Sequence, residues 1–231
     1  MLVDNLKNPI IIVYLFLVFS FSISFHEMSH ALSAYLLGDS TAKDKGRLTL
    51  DPLKHLDPFG TIMILFFSFG WAKPVPVNIS NLKYKKLGMV LVSLAGPVSN
   101  MLLAFLFMIP LTYYGFRYDF DPKLMINRLG LFESTDINTV IINLCVLGVS
   151  MNTVLAVFNF IPFPPLDGSK IFSGLLPARI YFKLMNYHQI FYAILIILMI
   201  TGAFGFILWP AVHFMVGVLD FAVKPLVAPF V

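Results

Sequence analysis

Apolar residues come in long blocks along this chain, with no sustained apolar–polar alternation, the pattern of helices immersed in lipid. The first block, Pro9 to Leu37, predicts one helix stopped by Gly38. Its 29 residues exceed the roughly 20 needed to cross a hydrocarbon core. Leu87 to Tyr114, Ile137 to Phe160 and His188 to Leu208 predict three further spans. Trp209 to Val231 is also apolar but is interrupted by Pro210, Asp220, Lys224 and Pro225, so it is either a last span or a membrane-surface tail. Pro58 to Gly70 is apolar for only 13 residues, which suits a re-entrant or interfacial segment. In the following stretch, Trp71 to Asn78, Pro74 and Pro76 exclude a helix. That stretch is either an extended edge strand able to pair with a peptide or a plain connecting loop. Ser169 to Tyr187 carries Lys170, Arg179 and Lys183 among apolar residues and reads as a surface-lying amphipathic segment. The expected fold is an all-α polytopic membrane protein with five to six membrane segments. One of these is re-entrant, and a short extended or β element lies near Trp71–Asn78.

Composition agrees. The 231 residues are 58% hydrophobic and 12% charged, against about 25% charged in a soluble domain. One integral-membrane domain over 1–231 is expected, with a core over roughly 9–176 and C-terminal membrane segments over 188–231. Sixteen Lys and Arg against 12 Asp and Glu leave a mild net charge of +4. That excess fits loops facing anionic lipid and gives no reason to expect nucleic acid as a partner. The single Cys145 excludes an internal disulfide and reads as a small packed hydrophobe. His55, His188 and His213 have no partner spacing and read as interface residues. No A-x-A-like cleavage site follows the first apolar block.

The chemistry is concentrated near the end of that block, in His26-Glu27-Met28-Ser29-His30. On a helix His26 and His30 share one face, one turn apart, and two imidazoles so placed can hold a zinc ion. Glu27 can then take a proton from a water at the metal. Ionisable groups in an apolar span are costly and mark function. In the 87–114 span, Gly96, Asn100 and Ala104 recur every four residues as a face that permits close helix packing, and Pro97 frees a backbone carbonyl. Asn100 is either a hydrogen-bonding strut, the favoured reading, or a site residue. Asn152 and Asn159 lie seven apart on one face of the 137–160 span. Asp167, just beyond three prolines, is either a helix N-cap or a metal ligand; two histidines that need a third protein ligand favour the second.

His26-Glu27-x-x-His30, Gly96-Pro97-x-x-Asn100 and Asn159-x-x-Pro162-x-x-Pro165-Leu166-Asp167-Gly168, in that order, resemble the site-2 protease family of intramembrane zinc metalloproteases. Asp57-Pro58-Phe59-Gly60-Thr61 and Gly70 to Asn78 are similar to a compact prokaryotic branch of that family. The resemblance implies zinc held by His26, His30 and Asp167, Glu27 as the catalytic base, and Asn159 steadying the substrate carbonyl. It implies a prokaryotic plasma-membrane location and substrates that are membrane-protein or signal-peptide-like helices, unwound locally before cleavage. Trp71, Pro74 and Pro76 would belong to the strand that holds them extended. No room is left within these residues for the PDZ or CBS domain that members often carry. An inactive zinc-binding scaffold or chaperone and a metal transporter are the alternatives. Intact Glu27 and a single ligand cluster speak against both.

A common depth for the three ligands also dictates topology. The 9–37 and 137–160 helices must run in one direction and the 87–114 helix in the other, so residues 38–86 begin and end on one side. That side carries most of the Lys and Arg and is cytoplasmic by the positive-inside rule, which places the N-terminus outside.

Overall fold

Predominantly apolar sequence makes the first helix, α1, which runs Pro9–Leu36 in a computed structural model that describes residues 9–61, 71–132, 136–174 and 187–231. Pro9 opens it, where a missing N–H costs nothing. Gly38, at φ 102°, turns the chain out of it, and Asp39 N donates back to Ala34 O at 2.9 Å. Short helices α2 (Thr41–Asp44) and α3 (Pro52–His55) follow.

Residues 73–78 lie in neither helix nor strand. Lys73 and Val75 precede prolines, which biases them to extended backbone. Asn78 is extended at φ −101° and ψ 103°, and Leu56 and Ala72 form one antiparallel bridge. Among the described residues no longer strand forms, because the two prolines remove the donors a ladder needs. Two pairings bracket the loop that α1 leads into. Lys83 N donates to Leu37 O at 2.8 Å, and Lys73 N donates to His55 O at 2.8 Å. Most of the 58–70 apolar segment, expected to be re-entrant, lies outside the described residues.

Helix α4 spans Lys85–Tyr118, beyond the expected 87–114 at both ends. The basic Lys85, Lys86 and Arg117 fall within its terminal turns, where long stems let charges reach the headgroups. After α5 (Pro122–Arg128) comes α6, Ile137–Phe160, with the bounds the sequence predicts. Asp136 starts it by accepting from Asn138 N and Thr139 N at 3.0 and 3.1 Å. Helix α7 is Asp167–Ser173. The remainder of the predicted amphipathic segment, 175–186, lies outside the described residues.

The expected His188–Leu208 span divides. Helix α8 stops at Ile200 after 13 residues, and α9 restarts at Gly205 and runs to Val227. Gly202, at φ 72°, makes the turn between them. Four of the described helices, α1, α4, α6 and α9, are long and apolar enough to cross a membrane, which makes this a membrane protein. The last apolar stretch therefore belongs to a helix of spanning length. Phe206 at 86% and Phe221 at 83% exposure on α9 are side chains that water would not tolerate in such number and lipid does.

The chain divides into two compact units, with the divisions falling inside α1, α4, α6 and α9. One comprises Met1–Ser22, Asn100–Val157 and Ile207–Val231. Its core holds Met108, Leu111, Val146, Val149, Val216 and Val223. The second, Ile23–Ser99 with Phe158–Phe206, has a small core of Ala34, Leu82 and Val92 and contains the residues of the histidine motif.

Candidate metal centre

Helix α1 brings His26 and His30 onto one face, one turn apart. Their ring centroids are 4.6 Å apart with planes at 88°, and their Nε2 atoms are 3.0 Å apart. Asp167 arrives from the first turn of α7, placing Oδ2 3.2 Å from His26 Nε2 and 3.0 Å from His30 Nε2. All three residues are buried, with their ligand-type atoms within 4.8 Å of one another.

Local sequence explains the approach. Pro162, Pro164 and Pro165 follow the end of α6 and keep the helix from continuing. Gly168 lets the chain fold tightly, since a Cβ there would overlap the carbonyls of Phe160 and Ile161. Leu166 occupies the capping position of α7, so the Asp167 carboxylate faces the histidines and does not cap its own helix.

The donor set fits a zinc ion. His30 Nδ1 lies 2.7 Å from Val92 O, so it carries the proton and Nε2 presents its lone pair. A second imidazole nitrogen and a carboxylate oxygen converge on that lone pair, an arrangement that asks for a cation among them. Ligands about 2.1 Å from a tetrahedral zinc stand about 3.4 Å apart, close to the separations found here. The carbonyl behind His30 is the outer partner that metal-bound histidines use.

Gly96 lies directly against the pair. A Cβ there would sit 2.5 Å from both His26 Cε1 and His30 Nε2 and 2.6 Å from His26 Nε2. The small face predicted on α4 therefore serves the histidines at Gly96, and buried Pro97 follows it. Asn100 is buried and hydrogen-bonded between helices. Its Nδ2 donates to Asn152 Oδ1 at 2.8 Å and to Ser22 O at 3.4 Å. Asn152 Nδ2 donates to Ser22 Oγ and Gly148 O, both at 2.8 Å.

Glu27 is buried, and its Oε2 accepts from Val75 N at 2.9 Å. The extended segment with Trp71, Pro74 and Pro76 thus meets the H-E-x-x-H helix through its backbone. Asn159 lies in the last turn of α6, partly buried. Three partners escaped the sequence: the Val92 carbonyl, the Val75 N–H and Lys170. Backbone groups leave no residue-type signal. Lys170 did carry one, three residues after Asp167. Its Nζ lies 3.2 Å from Asp167 Oδ1. His55 is fully buried, with Nε2 2.8 Å from Thr49 O.

An apolar helix offering H-E-x-x-H to a buried aspartate is the donor arrangement of a metallohydrolase built into a membrane protein. The chain matches the model of Peptidase family M50 over residues 14–202 and belongs to that family. It is 38% identical over 200 residues to a Bacillus subtilis protein named "Putative zinc metalloprotease YwhC", covering 87% of this chain and 86% of that one. It is 29% identical over 190 residues to the Mycolicibacterium smegmatis protein named "Putative zinc metalloprotease Rip2", covering 79% of this chain and 64% of that one. The Mycobacterium tuberculosis Rip2 is 30% identical over 151 residues, which are 64% of this chain and 51% of the relative. No solved structure matches the chain. Family and relatives together support a zinc metalloprotease, with zinc as the implied metal.

Proposed function

We propose that this chain is an intramembrane zinc metalloprotease that hydrolyses peptide bonds within or near the transmembrane segments of membrane-protein substrates. The observation that carries this reading is the convergence of His26, His30 and Asp167 beside Glu27 at the end of an apolar helix of spanning length. His26 and His30 would hold zinc through Nε2 and Asp167 through Oδ2. Zinc, when bound, acidifies a water and polarises a peptide carbonyl.

Glu27 takes the proton of the attacking water and returns it to the departing amine. Asn159 steadies the carbonyl oxygen, a role that rests on the family resemblance. A helical substrate has its carbonyls occupied and must unwind before cleavage, and the extended segment from Trp71 to Asn78 is suited to hold it open. The enzyme would be a multi-pass protein of a prokaryotic plasma membrane, contacting lipid and substrate helices. The test is co-expression with a panel of tagged single-span substrates. Wild type should cleave at least one, and Glu27→Gln should keep zinc and cleave at least about a hundredfold more slowly. His26→Ala and Asp167→Ala should lose the metal. Cleavage by Glu27→Gln at the wild-type rate sinks the proposal.

A further inference from the structure

The extended segment is pinned on both sides of Val75. Before it, Leu56 and Ala72 form their bridge, Lys73 N donates to His55 O at 2.8 Å, and the Arg47 guanidinium donates to Lys73 O. After it, Asn78 N donates to Asp39 Oδ2 at 2.7 Å. Between the pins Pro74 and Pro76 have no N–H, so Val75 carries the one backbone donor of residues 74–76. Val75 also precedes a proline, which confines it to extended conformations and fixes the direction of that donor. The donor points at Glu27 Oε2, 2.9 Å away.

We propose that the Val75 N–H is a positioning donor for Glu27. It holds Oε2, so that Oε1 is the oxygen turned to accept a proton. This rests on the reading of Glu27 as the general base. Val75 acts through Glu27 and needs no contact with substrate or metal. A carboxylate tethered at one oxygen keeps a single orientation, whereas an untethered one rotates among several and presents the accepting oxygen only part of the time. The flanking prolines give the Pro-x-Pro pattern a chemical purpose. Any other residue at 74 or 76 would add an N–H to the same short stretch, and the bare positions leave one donor and one register.

The experiment compares Val75→Pro, which deletes the N–H, with Val75→Ala, which trims the side chain and keeps it. Glu27 and Glu133 are the two glutamates of the chain. In a Glu133→Gln background, carboxyl-labelled glutamate therefore reports Glu27 alone in the infrared. The expected result is a carboxylate stretch displaced in Val75→Pro relative to Val75→Ala. With it should come a kcat lower than that of Val75→Ala by about tenfold to a hundredfold, KM changing by less than about twofold, and zinc retained. Coincident bands overturn the proposal, as does a displaced band with equal kcat. A higher kcat in Val75→Pro also overturns it, since the N–H would then be a brake. Should Val75→Pro fail to fold, an amide-to-ester replacement at Val75 removes the same donor and keeps the side chain. The infrared comparison needs no turnover. It is therefore separate from the protease reading, which fails when wild type and Glu27→Gln are alike on every substrate.

Discussion

A single hydrogen at position 96 decides whether two imidazoles can face a common point. With a Cβ expected 2.5 Å from His30 Nε2, Gly96→Ala must push α4 away or rotate both rings. Interiors are too closely packed to absorb such an overlap without cost. Zinc affinity should fall at least about tenfold, the usual loss when ligand-orienting contacts are disturbed. Chelator competition followed by elemental analysis measures this, and unchanged affinity would mean that the approach of α4 is adjustable. The sequence marks position 96 as part of a face that permits close helix packing, because Gly96, Asn100 and Ala104 recur every four residues. It did not show what each would meet, since spacing defines a face and not its neighbour. Gly96 meets the histidines, Asn100 meets Asn152, and Ala104 is buried in an apolar core. The residues that converge at the candidate site stand out in the sequence because buried ionisable groups in an apolar span have few structural uses.

At the scale of elements, Asp39 joins the end of α1 to the extended segment. It accepts from Thr41 N, Thr41 Oγ1, Asn78 N and Asn81 Nδ2. Burial pushes its carboxyl upward, but the hydrogen bonds from Thr41, Asn78 and Asn81 outweigh that and hold it below its ordinary 3.8. A depressed folded value means that the ionised form stabilises the fold. That contribution is complete above the ordinary value and is lost as pH falls through the folded one. Limited proteolysis of the 71–82 stretch should therefore be slow near neutrality and accelerate only in acid. Asp39→Ala should cost about 2 kcal/mol, the size of a hydrogen-bonded charge removed, and should expose the stretch at every pH. Equal protection in Asp39→Ala would show that the bridge at Ala72 suffices. Legibility was uneven at this scale. Helix α6 is readable because its apolar run is halted by three prolines. The division between α8 and α9 was not, because Thr201-Gly202 is a faint mark in sequence that is apolar on every side. The prolines announced an extended segment but could not announce that its backbone would reach Glu27.

For the whole molecule, the bracketed loop bears on topology. Leu37 and Lys83 are joined by a hydrogen bond, and Leu56 and Ala72 are paired. A segment whose flanks are paired leaves and returns at one level, so we expect residues 38–86 to begin and end on a single, cytoplasmic face. In a Cys145→Ala background on intact cells, Lys45→Cys and Tyr84→Cys should both be shielded from a membrane-impermeant thiol reagent, while Asp121→Cys should label. Opposite behaviour at 45 and 84 would put the 58–70 segment across the bilayer. The buried amides have a consequence for biogenesis. Asn152 of α6 finds its partners on Ser22 of α1 and Asn100 of α4, and both of those helices are synthesised before it. Entering lipid alone, α6 would carry that amide into hydrocarbon with its bond to Gly148 O made and its carbonyl oxygen and second N–H without those partners. The order of translation instead delivers it to a berth already built, where each new bond fixes the rotation of the arriving helix as well as its depth.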